Sequence, residues 1–259
     1  MNRFFLALVI FGILTVGPAA WGDTDLRVLT YNIHHGRGVD GEMGLERIAK
    51  LIESANPDVV ALQEVDQACQ RSGTIDQVAW FAERLGMDGR FGKFMDFQGG
   101  EYGLAILSKL PVKESVVHKL PVGGEPRMAL EVVVETAAGL VSVVGLHFDW
   151  VSDDTNRYAQ AEKLVEGLAG RERPVVLAGD FNDVPGSRTL ELFVKSGWKD
   201  APKSGGATAT FPSENPRVEI DFVMVRGGEP DKATVIDERV ASDHRPVVAD
   251  ITLPPASPE

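Results

Sequence analysis

Polar and apolar positions change period along this chain in a way that separates strands from helices. Leu26 to Ile33 alternates with period two, as a strand with one buried face does. Leu45, Ile48, Ala49, Leu51 and Ile52 then recur at helical spacing, and Asn56-Pro57 ends that helix. Val59-Val60-Ala61-Leu62 is wholly apolar, which predicts a buried strand. A second helix is expected over 77–85, followed by strands at about 103–108, 111–117, 127–136 and 139–147. A helix over about 155–169 carries Tyr158, Ala161, Leu164, Val165 and Leu168 as its apolar stripe. The short apolar run Val175 to Ala178 predicts another buried strand. A helix near 188–196 and strands near 218–225, 232–236 and 246–252 complete the series. The Gly-rich stretches at 98–100, 123–124 and 204–206 read as surface loops, too short to separate domains. Many strands with helices between them predict one α/β sandwich of two packed mixed β-sheets covered by helices.

The first 22 residues do not fit this pattern. Arg3 gives a positive start, Phe4 to Val16 is mostly apolar, and Pro18 leads to the small residues Ala20 and Gly22. Charge, length and exit chemistry are those of a secretory signal peptide, cleaved before Asp23. The apolar run is short of the roughly 20 residues that span a membrane. The expected organisation is a signal peptide over 1–22, one domain over 23–253 and a disordered tail over 254–259. The mature protein is then secreted or periplasmic.

Composition narrows the function by exclusion. The chain has 259 residues, with 26 Lys and Arg against 38 Asp and Glu, for a formal net charge of -12. Such a balance disfavours a general duplex-binding surface, which needs cations to neutralise phosphates. A single cysteine, Cys69, rules out an internal disulfide and a thiolate zinc cage, and it reads as a small buried side chain.

The chemistry gathers where apolar strands stop. Leu29-Thr30-Tyr31 runs into Asn32, and Val59 to Leu62 runs into Gln63-Glu64. Val143 to Leu146 leads to His147 and Asp149, and Val175 to Gly179 leads to Asp180-Phe181-Asn182. A strand that ends on a carboxylate, carboxamide or imidazole carries that group rigidly to the rim of its sheet. One such ending is an ordinary turn or cap; four together suggest a site. Oxygen donors with few imidazoles suit Mg²⁺, or Mn²⁺ in its place, better than zinc. Near the C-terminus Asp243-His244 pairs a carboxylate with an imidazole, and Asp221 lies in an apolar strand. An aspartate opposite a histidine settles the cost of burying its charge and fixes the histidine tautomer, as a general base requires.

These motifs together resemble the endonuclease/exonuclease/phosphatase superfamily, which includes deoxyribonuclease I. They are Thr30-Tyr31-Asn32-Ile33, Leu62-Gln63-Glu64, Tyr102-Gly103, Leu146-His147, Gly179-Asp180-Phe181-Asn182, Ile220-Asp221-Phe222 and Ser242-Asp243-His244, in the family's order over roughly 26–252. The resemblance implies a four-layer α/β/β/α sandwich and metal-dependent hydrolysis of a phosphate ester. It implies Glu64 as the principal metal carboxylate, with Asn32 beside it and Asp243 as a further metal-site carboxylate. Asp180 would orient the attacking water, His244 would activate it, and Asp221 would orient His244. Asn182 would hold a phosphate oxygen, His147 would stabilise the phosphorane or assist the leaving group, and Tyr102 would reach the phosphate. Arg127 either clamps the phosphate or pairs with Glu125 or Glu131 at a strand edge. Many relatives carry an Asn after Tyr-Gly, where this chain has Leu104. His34 and His35 follow Asn32 directly and could line the cleft, but they read better as loop residues because the family motif does not require them; His118 reads as a surface residue.

The expected activity is that of a phosphodiesterase or phosphomonoesterase acting on a small phosphate ester or lipid headgroup. An extracellular deoxyribonuclease is the alternative. Another is a catalytically silent relative, which would lack one of Glu64, Asp180, Asp243 or His244; all four are present. Peripheral membrane contact would use aromatic tips among Phe94, Phe97 and Trp150, each of which reads better as cleft lining or core. The expected state is a monomer, with no protein partner implied.

Overall fold

The computed structural model describes residues 24–255. The expected signal peptide and the end of the expected tail lie outside the described residues.

Among the described residues, twelve strands form two six-stranded sheets. The first contains β1 (Thr24–Asn32), β2 (Val59–Gln67), β3 (Asp88–Phe97), β4 (Gly100–Ser108), β11 (Glu229–Val235) and β12 (Val247–Leu253), in the order β11-β12-β1-β2-β4-β3. The second contains β5 (Val112–Lys119), β6 (Met128–Thr136), β7 (Gly139–His147), β8 (Val175–Asp180), β9 (Lys199–Asp200) and β10 (Asp221–Arg226), in the order β5-β6-β7-β8-β10-β9. Among the described residues only β1–β2 and β7–β8 pair in parallel as strands, so both sheets are mixed.

Three apolar clusters stack through the molecule. Val28, Ala61, Ile106, Val132, Val143, Val223 and Ala249 fill the space between the sheets. Helices α1 (Leu45–Ala55) and α2 (Gln77–Leu85) cover the outer face of the first sheet through Ile48, Ile52 and Phe81. Helices α3 (Thr155–Leu168) and α4 (Arg188–Lys195) cover the second through Leu164, Leu168 and Phe193. This is the four-layer α/β/β/α sandwich expected from the sequence, because each sheet has two apolar faces to bury.

Some local expectations needed revision. Strand β3 escaped the periodicity reading because it is a sheet edge whose Arg90, Lys93 and Asp96 dilute the apolar signal. In α3 the buried face holds Arg157 and Gln160 along with Ala161, Leu164 and Leu168, while Tyr158 and Val165 are half-buried. The two polar members have work to do there: Arg157 pairs with Asp183 at 3.0 Å and donates to the carbonyls of Asp149 and Val151, and Gln160 accepts from the Asp149 amide. They clamp the segment that follows His147. His118 is half-buried and hydrogen-bonded to the buried Glu131 at 2.7 Å, so it is not a surface residue.

Gly179 shows how tightly the site-bearing strands are packed. A Cβ at this position would lie 2.1 Å from the Leu146 carbonyl oxygen on the neighbouring strand. Gly179→Ala is expected to lower stability by about 1–3 kcal/mol through forced displacement of β8, read as an earlier urea midpoint. An unchanged midpoint would show that β8 can shift freely.

Candidate active site

Cross-strand register brings distant residues together at one rim. In the second sheet His147 pairs with Asp180 across β7–β8, and Asp180 pairs with Asp221 across β8–β10. In the first sheet Asn32 ends β1 beside Gln63, and the β2–β4 ladder shifts register between Leu62 and Val65. This irregularity places Glu64 at φ 57°, turned out of the alternation of its strand. His244 arrives on the loop before β12.

Asn32 joins the two sheets. Its amide nitrogen donates to Glu64 Oε1 and to Asp180 Oδ2, both at 3.2 Å, while its oxygen accepts the His34 backbone N–H at 3.1 Å. A backbone amide can only donate, so the orientation of this carboxamide is fixed. Asn32 therefore holds two carboxylates in place with its N–H groups. Tyr102 lines the cleft edge-on to Phe94 at 5.6 Å. Leu104, at the position where many relatives carry Asn, is fully buried in the core between the sheets.

The second sheet supplies a proton-handling array. Asp221 Oδ2 lies 2.9 Å from His244 Nδ1, which leaves Nε2 facing Asp180 Oδ2 at 3.7 Å. His147 Nε2 approaches that same oxygen at 3.5 Å. Burial pushes the Asp180 carboxyl up to about 7, although the His244 charge opposes the rise. Burial disfavours charge on His244, but Asp221 and Asp180 outweigh it and raise its pKa to about 10. The two groups therefore titrate as a coupled pair and not as independent residues. Burial, with Arg127 and His244 nearby, drives His147 well below its usual value and keeps it neutral.

Arg127 sets the His147 tautomer. It donates to Nδ1 at 3.0 Å, so the ring proton sits on Nε2 and points toward the cleft. It also pairs with Glu125 at 3.1 Å and stacks over Phe94, while no contact to Glu131 forms. Arg127 thus lines the cleft and forms the expected ion pair with Glu125. Asp149 is structural: its carboxylate accepts the Gly124 and Val151 amides and braces the loop leading to Arg127.

Asn182 lines the cleft with φ 50°, and one amide hydrogen is taken by the Phe148 carbonyl. Asp243 is half-buried and accepts from Ser242 Oγ at 3.3 Å; it is not among the side chains lining the cleft. Around Glu64 the donor atoms that gather within 4.8 Å belong to His34 and His35. A second group, Asp180, Asp221 and His244, meets the same limit. Its histidine Nδ1 is engaged by Asp221, so Glu64 is the better anchor for a cation, and carboxylate and imidazole donors there fit a divalent ion.

The cleft holds about 470 Å³. Its walls include Phe97 and Trp150, which the sequence reading offered as cleft lining or core, and add Arg71, Met95 and Phe211, which it missed. Arg71 forms a two-point pair with the fully buried Asp66 at 2.8 Å and stacks on Phe97 and Tyr102. Only its tie to Asp66, five residues upstream, left any local trace in the sequence. Phe97 is half-buried, Phe94 is core, and Trp150 stands 63% exposed at the mouth. Cys69 is buried, as expected.

Comparison with known proteins agrees with this geometry. The profile of the Endonuclease/Exonuclease/phosphatase family matches residues 29–244. The uncharacterized protein YbhP of Escherichia coli K12 is 26% identical over 245 residues, covering 88% of this chain and 96% of that protein. An endonuclease/exonuclease/phosphatase of Beutenbergia cavernae DSM 12333 is similar at 26% identity with a TM-score of 0.72, covering 89% of this chain and 72% of that one. A mannosyl-6-phosphatase of Bacteroides thetaiotaomicron VPI-5482 shares the fold at 20% identity and a TM-score of 0.69, with 88% and 100% covered.

Proposed function

Because the chain belongs to the endonuclease/exonuclease/phosphatase family, whose members hydrolyse phosphoester bonds, we propose that it is an exported, divalent-cation-dependent hydrolase of small phosphate esters or phosphorylated lipid headgroups. The observation that carries this reading is the buried His147–Asp180–Asp221–His244 array facing Glu64 across one cleft.

In this reading the phosphoryl group lies against Arg127, Asn182 and the His147 Nε2–H. Asp180 orients water for in-line attack, and the proton passes to the Asp180–His244 pair, with Asp221 holding the imidazole. His147 donates toward the phosphoryl oxygens or the leaving oxygen, since Arg127 keeps its proton on the cleft-facing nitrogen. Glu64 would hold the cation, Mg²⁺ or Mn²⁺, which neutralises charge developing on the phosphoryl oxygens.

Cleft size and charge favour a small substrate. A volume of about 470 Å³ accommodates one small ester. The one basic run, Lys163, Arg171 and Arg173, offers no duplex-binding patch. Arg171 pairs with Glu131 at 2.9 Å, Arg173 lies 3.9 Å from it, and Lys163 pairs with Glu166. Export rests on the leader, and recovery of a mature chain starting at Asp23 outside the cytoplasm tests it.

The activity is tested with p-nitrophenyl phosphate, bis-p-nitrophenyl phosphate, sugar phosphates, phospholipid vesicles and plasmid DNA, with Mg²⁺ or Mn²⁺. Turnover of a small ester or lipid is expected, lost on chelation and restored by cation. Nicking of plasmid without small-ester turnover would replace this reading with a deoxyribonuclease. Binding of phosphate esters without turnover of any substrate would replace it with a silent ligand-binding relative.

A further inference from the structure

We infer that His34 and His35 join Glu64 to form a mixed imidazole–carboxylate cation site, which gives this protein a preference for Co²⁺ or Zn²⁺ over Mg²⁺. The inference deepens the divalent-cation reading of the cleft and rests on it. Neither histidine lies within the sequence motifs that carry the family resemblance.

Donor atoms of the three residues lie within 4.8 Å of one another. Each imidazole has a free lone pair for a cation. His34 Nδ1 is 3.1 Å from the Arg37 carbonyl, an acceptor, so this nitrogen carries the proton and Nε2 is left unprotonated. His35 is 8% exposed, and among the described residues neither of its ring nitrogens has a hydrogen-bond partner; Nδ1 is fully buried. A buried, unpaired imidazole nitrogen is costly unless something occupies it. His34 and Glu64 are half-buried, and His35 is buried.

The backbone is built to present these groups. His34, His35 and Glu64 adopt φ of 46°, 48° and 57°, a left-handed region that non-glycine residues rarely enter. Two buried side chains hold the arrangement. Gln77 donates to the His35 carbonyl at 2.7 Å and accepts the Asp66 amide at 2.9 Å, tying the histidine turn to the strand two residues beyond Glu64. The Asn32 oxygen fixes the His34 amide, as described above. Two imidazoles and one carboxylate with open positions suit cobalt or zinc, whereas Mg²⁺ prefers oxygen donors.

The test measures metal binding directly. The full chain, stripped by chelator, is titrated with Co²⁺ by calorimetry and visible absorption, then with Mg²⁺. Wild type is expected to bind Co²⁺ more tightly than Mg²⁺, with the intensified visible bands of a low-coordinate nitrogen-ligated ion. His34→Asn with His35→Asn keeps residues that tolerate the left-handed backbone. That variant is expected to bind Co²⁺ at least about 10–100-fold more weakly and to lose those bands, while Mg²⁺ affinity holds or rises. Its melting temperature in chelator should match wild type, and each single substitution should fall between. Equal Co²⁺ affinity and spectra in the double variant would overturn the assignment, as would a wild type that binds Mg²⁺ at least as tightly as Co²⁺. Histidine-dependent Co²⁺ binding without hydrolysis of any ester would sink the hydrolase reading and leave this site standing. Hydrolysis with histidine-independent metal binding would do the reverse.

Discussion

His244→Ala is expected to lower kcat/KM toward every phosphate ester the protein hydrolyses by about 10²–10⁴-fold, the usual contribution of a positioned acid–base group. The residue is 6% exposed and wedged between Asp221 at 2.9 Å and Asp180 at 3.7 Å, with Phe211 packed against its ring. Removing the ring takes from Asp180 the histidine charge that opposes the rise of its carboxyl and leaves Asp221 buried with neither oxygen paired, since Oδ1 has no hydrogen bond even now. Asp221→Asn separates the roles, because it keeps the shape but removes the charge that favours the protonated imidazole. The Asn variant should shift the pH profile of kcat/KM, whereas the Ala variant should depress the rate at all pH values. Steady-state kinetics across pH reads both. An Ala variant within a few-fold of wild type would remove His244 from the chemistry.

Glu131→Gln is expected to cost about 3 kcal/mol of unfolding free energy at pH 7, toward the low end for breaking a buried ion pair because both arginines involved reach solvent. Glu131 is fully buried in β6, bonded to His118, Ser142 and Arg171, with Arg173 nearby. Burial alone would raise this carboxyl, but His118, Arg171 and Ser142 outweigh burial and hold it well below the usual range. A carboxylate with a depressed folded pKa contributes fully above its unfolded value of about 4.3. The contribution fades as pH falls below that value toward the folded pKa. Urea denaturation from pH 7 downward should therefore show wild type losing its advantage over the Gln variant in acid. Equal stability at pH 7, or parallel pH dependence of the two proteins, would show that the network is neutral.

The legibility of the chain divides along physical lines. Buried strands such as β2, β7 and β8 were readable because a continuous apolar run and its abrupt polar end are local features. The same locality exposed Asn32, Glu64, His147 and Asp180 as residues delivered to a rim. Edge strand β3 was not readable, because one partnered side and two partly wet faces leave little apolar pattern. Identical residue types also took different tasks. Asp149 and Asp183 sit beside the motifs yet brace loops. His34 and His35 looked like loop residues because nothing in their spacing signals a left-handed backbone or the Gln77 tether.

By itself, then, the sequence determined the layer architecture, the strand ends that carry polar groups, and an acidic balance with few basic clusters. These follow from hydrophobic period and composition, which act over a few residues at a time. Tertiary structure alone decided which groups meet. Register across β7, β8 and β10 aligned His147, Asp180 and Asp221, and the irregularity in β2 turned Glu64 toward the histidine turn. Packing also set charge states, since proximity and burial made Asp180 and His244 one titrating pair. Such couplings depend on distances of a few ångströms between residues far apart in the chain, and no local pattern encodes them.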